Sequence, residues 1–144
     1  MILKGIMGNK NLYMTLMVFA LMFVSCLGMD AQVVAGGAQW DCLVYNMGEI
    51  SKLDGKYTLI YRVKNISDKD MTIVKADATC HCTTVKWTRE PVKPGEYGEV
   101  VATYDSSEDH LMFSKTVNVY LSTSSKPVLL KYHGTVVDGN LFEG

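Results

Sequence analysis

From Trp40 onward, apolar residues recur at every second position, and that periodicity confines the chain to β structure. Tyr57, Leu59, Tyr61 and Val63 alternate with Thr58, Ile60, Arg62 and Lys64. Val100, Ala102 and Tyr104 repeat the pattern, as do Val117, Val119 and Leu121 and then Val128, Leu130 and Tyr132. Successive side chains of an extended chain point to opposite faces, so each run has one buried face and one wet one. Asp41–Tyr45 and Met71–Ala78 read as further strands. Turn chemistry separates them. Asp54-Gly55 is a tight-turn signal, Asn65–Asp70 is a polar loop, and Ser122–Lys126 closes a turn before Pro127. Lys93-Pro94-Gly95-Glu96 suits a type II turn, because Pro94 presets φ and Gly95 accepts the positive φ that follows.

Strands at a spacing of roughly 10–15 residues, with no helical interval, predict an all-β fold. We expect a single immunoglobulin-like antiparallel β-sandwich of about seven strands over residues 40–138. A short flexible lead-in at 32–39 and a C-terminal tail at 139–144 would flank it.

The first thirty residues follow other rules. Lys4 and Lys10 precede an uncharged apolar run, Leu12–Val24. As a helix the run would cover about 20 Å, short of the roughly 30 Å hydrocarbon core, so a signal peptide fits better than a permanent span. Cleavage after Ala31, in Met29-Asp30-Ala31-Gln32, makes residues 1–31 the signal peptide. It leaves 113 residues with a net charge of −2. The competing exit is Phe23-Val24-Ser25-Cys26, which resembles a lipobox and would place a lipid on Cys26, although Phe23 stands where Leu is usual. The expected location is therefore periplasmic or extracellular, with a lipoprotein anchored in the envelope as the alternative.

Charge excludes one class of partner. The whole chain carries a net charge of −1, and no strand face interleaves aromatics with Lys and Arg, so nucleic acid is not expected. No glycine-rich loop opens a helix to cradle phosphate. Membrane contact is expected only through a lipidated Cys26.

Thr79-Cys80-His81-Cys82-Thr83-Thr84 is the densest chemical constellation. In a straight strand Cys80 and Cys82 would point the same way with Cα atoms about 6.6 Å apart, at the edge of disulfide range, and a turn would bring them closer. Three readings stand. The first is structural: small side chains at the sandwich edge, or a bridge to Cys42. The second is a soft-metal site in which Cys80, His81 and Cys82 hold copper or zinc, although a fourth ligand has no evident source. The third is thiol redox exchange, which needs an activated thiolate. The structural reading comes first, so no cofactor is expected. Ser106-Ser107-Glu108-Asp109-His110 holds triad residue types, but adjacency in one loop rarely gives triad geometry, and a solvated hairpin tip is expected. His133 is expected on the outward face of its strand. Asn65-Ile66-Ser67 fits a glycosylation sequon but reads as turn chemistry.

Several segments together resemble a known family. They are Val44–Ile50, Val63-Lys64-Asn65, Cys80-His81-Cys82-Thr83, Pro91–Gly98, Val101–Asp105, Phe113–Val117 and His133–Val136. In this order they are similar to the secreted bacterial domain of unknown function 1573, over roughly residues 40–137. The chain departs from that family in having Asn46-Met47-Gly48 for Asp-Phe-Gly, Glu108–Met112 for a Gly-rich hairpin, and Ser122-Thr123 for Ser-Asn. Cys42 lies outside the family pattern. The resemblance implies an immunoglobulin-like or PapD-like sandwich in an exported protein, and it implies no activity. The expected function is thus a non-enzymatic binding or structural module of the cell envelope with an unidentified protein or envelope partner. The alternative is a periplasmic soft-metal protein using the Cys-His-Cys motif.

The N-terminal reading has a direct check. N-terminal sequencing of the exported protein should start at Gln32, and in any case before residue 41. Met1 retained on cytosolic protein would refute export, and a lipid on Cys26 would select the other exit.

Overall fold

The computed structural model describes residues 32–109 and 111–139. The expected signal peptide, Cys26, His110 and most of the C-terminal tail lie outside the described residues. The described chain is all β. It has nine strands, β1 (Val33–Ala35), β2 (Ala38–Trp40), β3 (Val44–Ser51), β4 (Lys56–Asn65), β5 (Ile73–Ala78), β6 (Thr83–Trp87), β7 (Tyr97–Asp105), β8 (Leu111–Leu121) and β9 (Val128–Val137), with one 3-10 turn at Ser106–Glu108. Two sheets form a sandwich. One has the order β1-β2-β4-β7-β6 and the other β3-β9-β8-β5.

The period-two runs became the central strands. In β4 the buried residues Tyr61 and Val63 face inward while Ile60 and Arg62 face out, and β7, β8 and β9 alternate likewise. β4 and β7 pair without interruption from Lys56↔Asp105 to Lys64↔Tyr97. Both inner faces feed one core of Trp40, Tyr61, Val63, Met71, Ile73, Val100, Tyr104, Val117, Val119, Leu130 and Tyr132. Fully burying an aliphatic or aromatic side chain of this size stabilises by roughly 1.5–3 kcal/mol.

Two expectations need correction. Residues 32–39 are not a loose lead-in, because β1 and β2 pair across Gly36-Gly37, whose φ values are 66° and 77°. Only glycine takes such a turn cheaply, and a Cβ on Gly36 would also meet Val128 Cγ2 at 2.7 Å. This hairpin is why the strands number nine and not about seven. The sandwich is also not wholly antiparallel, since β3 pairs with β9 in parallel. Alternation reports which face is buried and is silent on the direction of the partner strand.

The expected turns are present. Gly95 has φ 80°, and Glu96 N–H donates to Lys93 O across the Pro94-Gly95 turn at 2.9 Å. The polar loop is tied down by Asn65, which is fully buried. Its Nδ2 donates to Lys69 O at 2.6 Å and Val92 O at 2.8 Å, and its Oδ1 accepts from Ser67 N and Ser67 Oγ. The sequon residue is therefore a structural clamp, as its turn chemistry suggested.

Replacing Asn65 by Ala removes all four of these bonds at a fully buried position, while Val92 O keeps the Met71 N–H and Lys69 O keeps Ser67 Oγ. The expected cost is about 2–3 kcal/mol of unfolding free energy in a denaturant titration, and a change under about 0.5 kcal/mol would refute the clamp.

Candidate functional site

The Thr79–Cys82 segment is the passage between the sheets. β5 ends at Ala78 on one sheet and β6 begins at Thr83 on the other. Thr79 N–H holds Thr116 O at 3.0 Å, Thr83 N–H reaches back to Cys80 O at 3.2 Å, and Asp105 N–H donates to Cys82 O at 2.8 Å. The chain thus turns between two anchored points. The turn brings the Cα atoms of Cys80 and Cys82 to 5.2 Å, nearer than a straight strand allows, and the two sulfurs are bonded to each other.

This settles the pairing and leaves the chemistry of the motif open. The bridge is internal to Cys-x-Cys, so the considered bridge to Cys42 is not formed. Cys42 is a partly buried free thiol that donates to Val44 O at 3.0 Å. In the bridged form neither Cys80 nor Cys82 is a thiolate, so a copper or zinc set with His81 requires the reduced form. His81 is exposed at the tip of the turn.

The surroundings of the two sulfurs differ. Cys82 is 8% exposed, and Cys80 is more open. Cys82 N–H donates to Cys80 Sγ at 3.2 Å. Cys82 Sγ lies 3.7 Å from Thr83 Oγ1, which is hydrogen-bonded to the buried Tyr132 hydroxyl from the other sheet. Burial, above all, pushes the Tyr132 pKa up, so the phenol keeps its proton. Sequence spacing could not reveal this link, because Thr83 and Tyr132 are 49 residues apart. A recess of about 300 Å³ lies beside Cys80, lined in part by Asp77, Thr79 and His81.

The other singled-out residues have mostly structural surroundings. Ser106 is fully buried, and its Oγ donates to Ser51 O at 3.1 Å and Gly55 O at 3.0 Å. That corrects the solvated-tip expectation for its first residue. A hydroxyl joining two backbone carbonyls can replace water at a buried chain reversal. Asp109 accepts from Tyr104 Oη at 2.6 Å and pairs with Lys115. Burial first, and then the Asp109 carboxylate, hold the Tyr104 pKa well above its ordinary value. His133 lies in a shallow groove of about 620 Å³ with Asn46, Glu49, Met112 and Ser114, where Gly134 lets Phe113 approach the surface.

Among the described residues no helix is long and apolar enough to cross a membrane. The sequence profile of the family described as "Protein of unknown function (DUF1573)" matches residues 38–136. No curated protein matches the chain. Solved structures show where else the fold occurs. A protein of unknown function from Porphyromonas gingivalis W83 superposes with a TM-score of 0.58 at 12% identity, over 72% of this chain and 50% of that one. The VesB protease of Vibrio cholerae gives 0.55 at 13% identity, over 69% and 31%. The ASH / PapD-like domain 7 of human CEP192 gives 0.50 at 6% identity, over 77% and 94%. The chain therefore spans half of the first protein and less than a third of the protease. At these identities the likeness is one of fold.

A bridge closing only three residues restricts the unfolded chain little, so its expected stabilisation is about 1–2 kcal/mol, below the usual 2–4. Denaturant titrations of oxidised and reduced protein should differ by that amount. Loss of the β signal on reduction would make the bridge essential to the fold.

Proposed function

Because the chain belongs to the DUF1573 family, of unknown function, we propose that it works as an exported, non-enzymatic binding or structural module of the bacterial cell envelope, and that it holds an extended peptide segment of another exported protein along β6. The observation that carries this reading is the state of the sheet edges. β3 is broken by a bulge between Asn46 and Glu49, and β5 by one between Ile73 and Lys75. β1 is only three residues long. β6 combines regularity with length, running in unbroken register over five residues from Thr83↔Tyr104 to Trp87↔Val100.

Bulges and short length blunt an edge against pairing, and a regular edge accepts another strand. Asp105 N–H donates to Cys82 O, and Thr88 N–H donates to Glu99 O. The antiparallel alternation between those bonds turns the N–H groups of Val85 and Trp87 away from β7, toward the open side. Lys86 and Arg89 are exposed along the same edge, and the Arg89 guanidinium lies 3.7 Å over the Trp87 ring. The edge thus offers main-chain donors and two cations to an extended, acidic-leaning segment.

The test is crosslinked capture from intact cells with the wild-type chain and a Val85→Pro variant as baits. Proline removes an edge-facing donor and leaves the β6–β7 ladder in place. The variant should fold, with stability within about 1 kcal/mol of the parent, and should lose the captured partner. Equal capture by both baits would refute the β6 reading.

A further inference from the structure

The two bridged sulfurs sit in unequal surroundings. They form a bridge that opens within one turn, since it spans only Cys80-His81-Cys82. The partly exposed sulfur belongs to Cys80 and faces the recess lined by Asp77, Thr79 and His81. The buried sulfur belongs to Cys82 and sits against a hydroxyl chain. Either hydroxyl of the Thr83–Tyr132 pair can donate, and when Tyr132 does so the Thr83 proton is left for Cys82 Sγ. A buried sulfur supplied with a donor can carry negative charge, and a stabilised thiolate is the better leaving group.

We propose that the Cys80–Cys82 bridge is a thiol–disulfide exchange site, with Cys80 the attacked sulfur, Cys82 the leaving thiolate, and small or protein thiols the substrate class. The thiolate of a substrate RSH attacks Cys80 Sγ, the S–S bond breaks, and its electron pair leaves on Cys82 Sγ, which receives the Thr83 hydroxyl hydrogen bond. The product is a mixed disulfide between R and Cys80. A second RSH, as thiolate, attacks the R sulfur and forms RSSR. Cys80 leaves as a thiolate facing the Cys82 N–H that already donates to it at 3.2 Å. Two thiols become one disulfide, and their two protons end on Cys80 and Cys82. In the opposite direction the reduced pair gives two electrons to a substrate disulfide, which leaves as two thiols while the Cys80–Cys82 bond re-forms. The Asp105 N–H bond to Cys82 O anchors the buried half of the pair.

The test uses the full chain, purified oxidised, in buffers of fixed glutathione ratio. Acid quench, alkylation and peptide mass spectrometry locate the adduct over time. The expected result is a glutathione adduct on Cys80 that forms in folded protein and reverses with the ratio. Thr83→Val should slow adduct formation about tenfold, and Thr83→Ser, which keeps the hydroxyl, should restore the parent rate. Should Thr83→Val fail to fold, Tyr132→Phe reads the same chain one bond further out and should slow exchange severalfold. The proposal is overturned by an adduct on Cys82, by exchange that proceeds only at the rate of global unfolding, or by equal rates in the hydroxyl-bearing and hydroxyl-lacking variants.

Discussion

Tyrosines whose rings fill the core and whose hydroxyls reach the opposite sheet hold this sandwich together. Tyr61 on β4 donates to Lys131 O on β9 at 2.8 Å, and Tyr45 on β3 donates to Ile60 O on β4 at 2.7 Å. Tyr132 on β9 meets Thr83 on β6. Each contact ties one sheet to the other and sets how they lie, and the Thr83–Tyr132 bond does so in the buried interior. Tyr45 packs edge to face on Tyr61, while Tyr104 stacks on Phe113 and meets Tyr132 at a tilt. The position of Cys82 follows from this arrangement, because Thr83 must face Tyr132 and the preceding residue turns with it.

The strands were legible because burial of one face writes itself into every second residue. Tyr61 and Val63, Val117 and Val119, and Leu130 and Tyr132 all lie where that rule puts them. Pro94-Gly95 was legible because a type II turn has few acceptable residues. The β1–β2 hairpin escaped although Gly36-Gly37 between Val33–Ala35 and Ala38–Trp40 is itself a hairpin signal. Three-residue strands are too short for alternation to register. The parallel β3–β9 pair escaped because pairing direction depends on where the chain returns, not on local pattern.

The candidate site was legible only in part. Cys-x-Cys marked the place, and its position between two strands implied a crossing. Whether the sulfurs could meet depended on a turn held by Thr83 N–H to Cys80 O and Asp105 N–H to Cys82 O, contacts that spacing does not encode. The inequality of the two sulfurs depends on Tyr132, which arrives from another strand. Ser106 was misplaced for a related reason. Serine is ordinarily a surface residue, and only the carbonyls of Ser51 and Gly55 above it make its burial favourable.

The parallel pairing of β3 with β9 has a consequence for the order of assembly. Val44 meets Lys131 and Ser51 meets Val137, partners about 87 residues apart in sequence, and β3 has no other neighbour in its sheet. Most of the chain must emerge before β3 has anything to pair with. Closing so large a loop is entropically slow, so its sheet is completed only once β9, the last of the described strands, has been made. Until then β3 is an open template, and its bulge at Gly48 and the charge on Glu49 are what protect it during that wait.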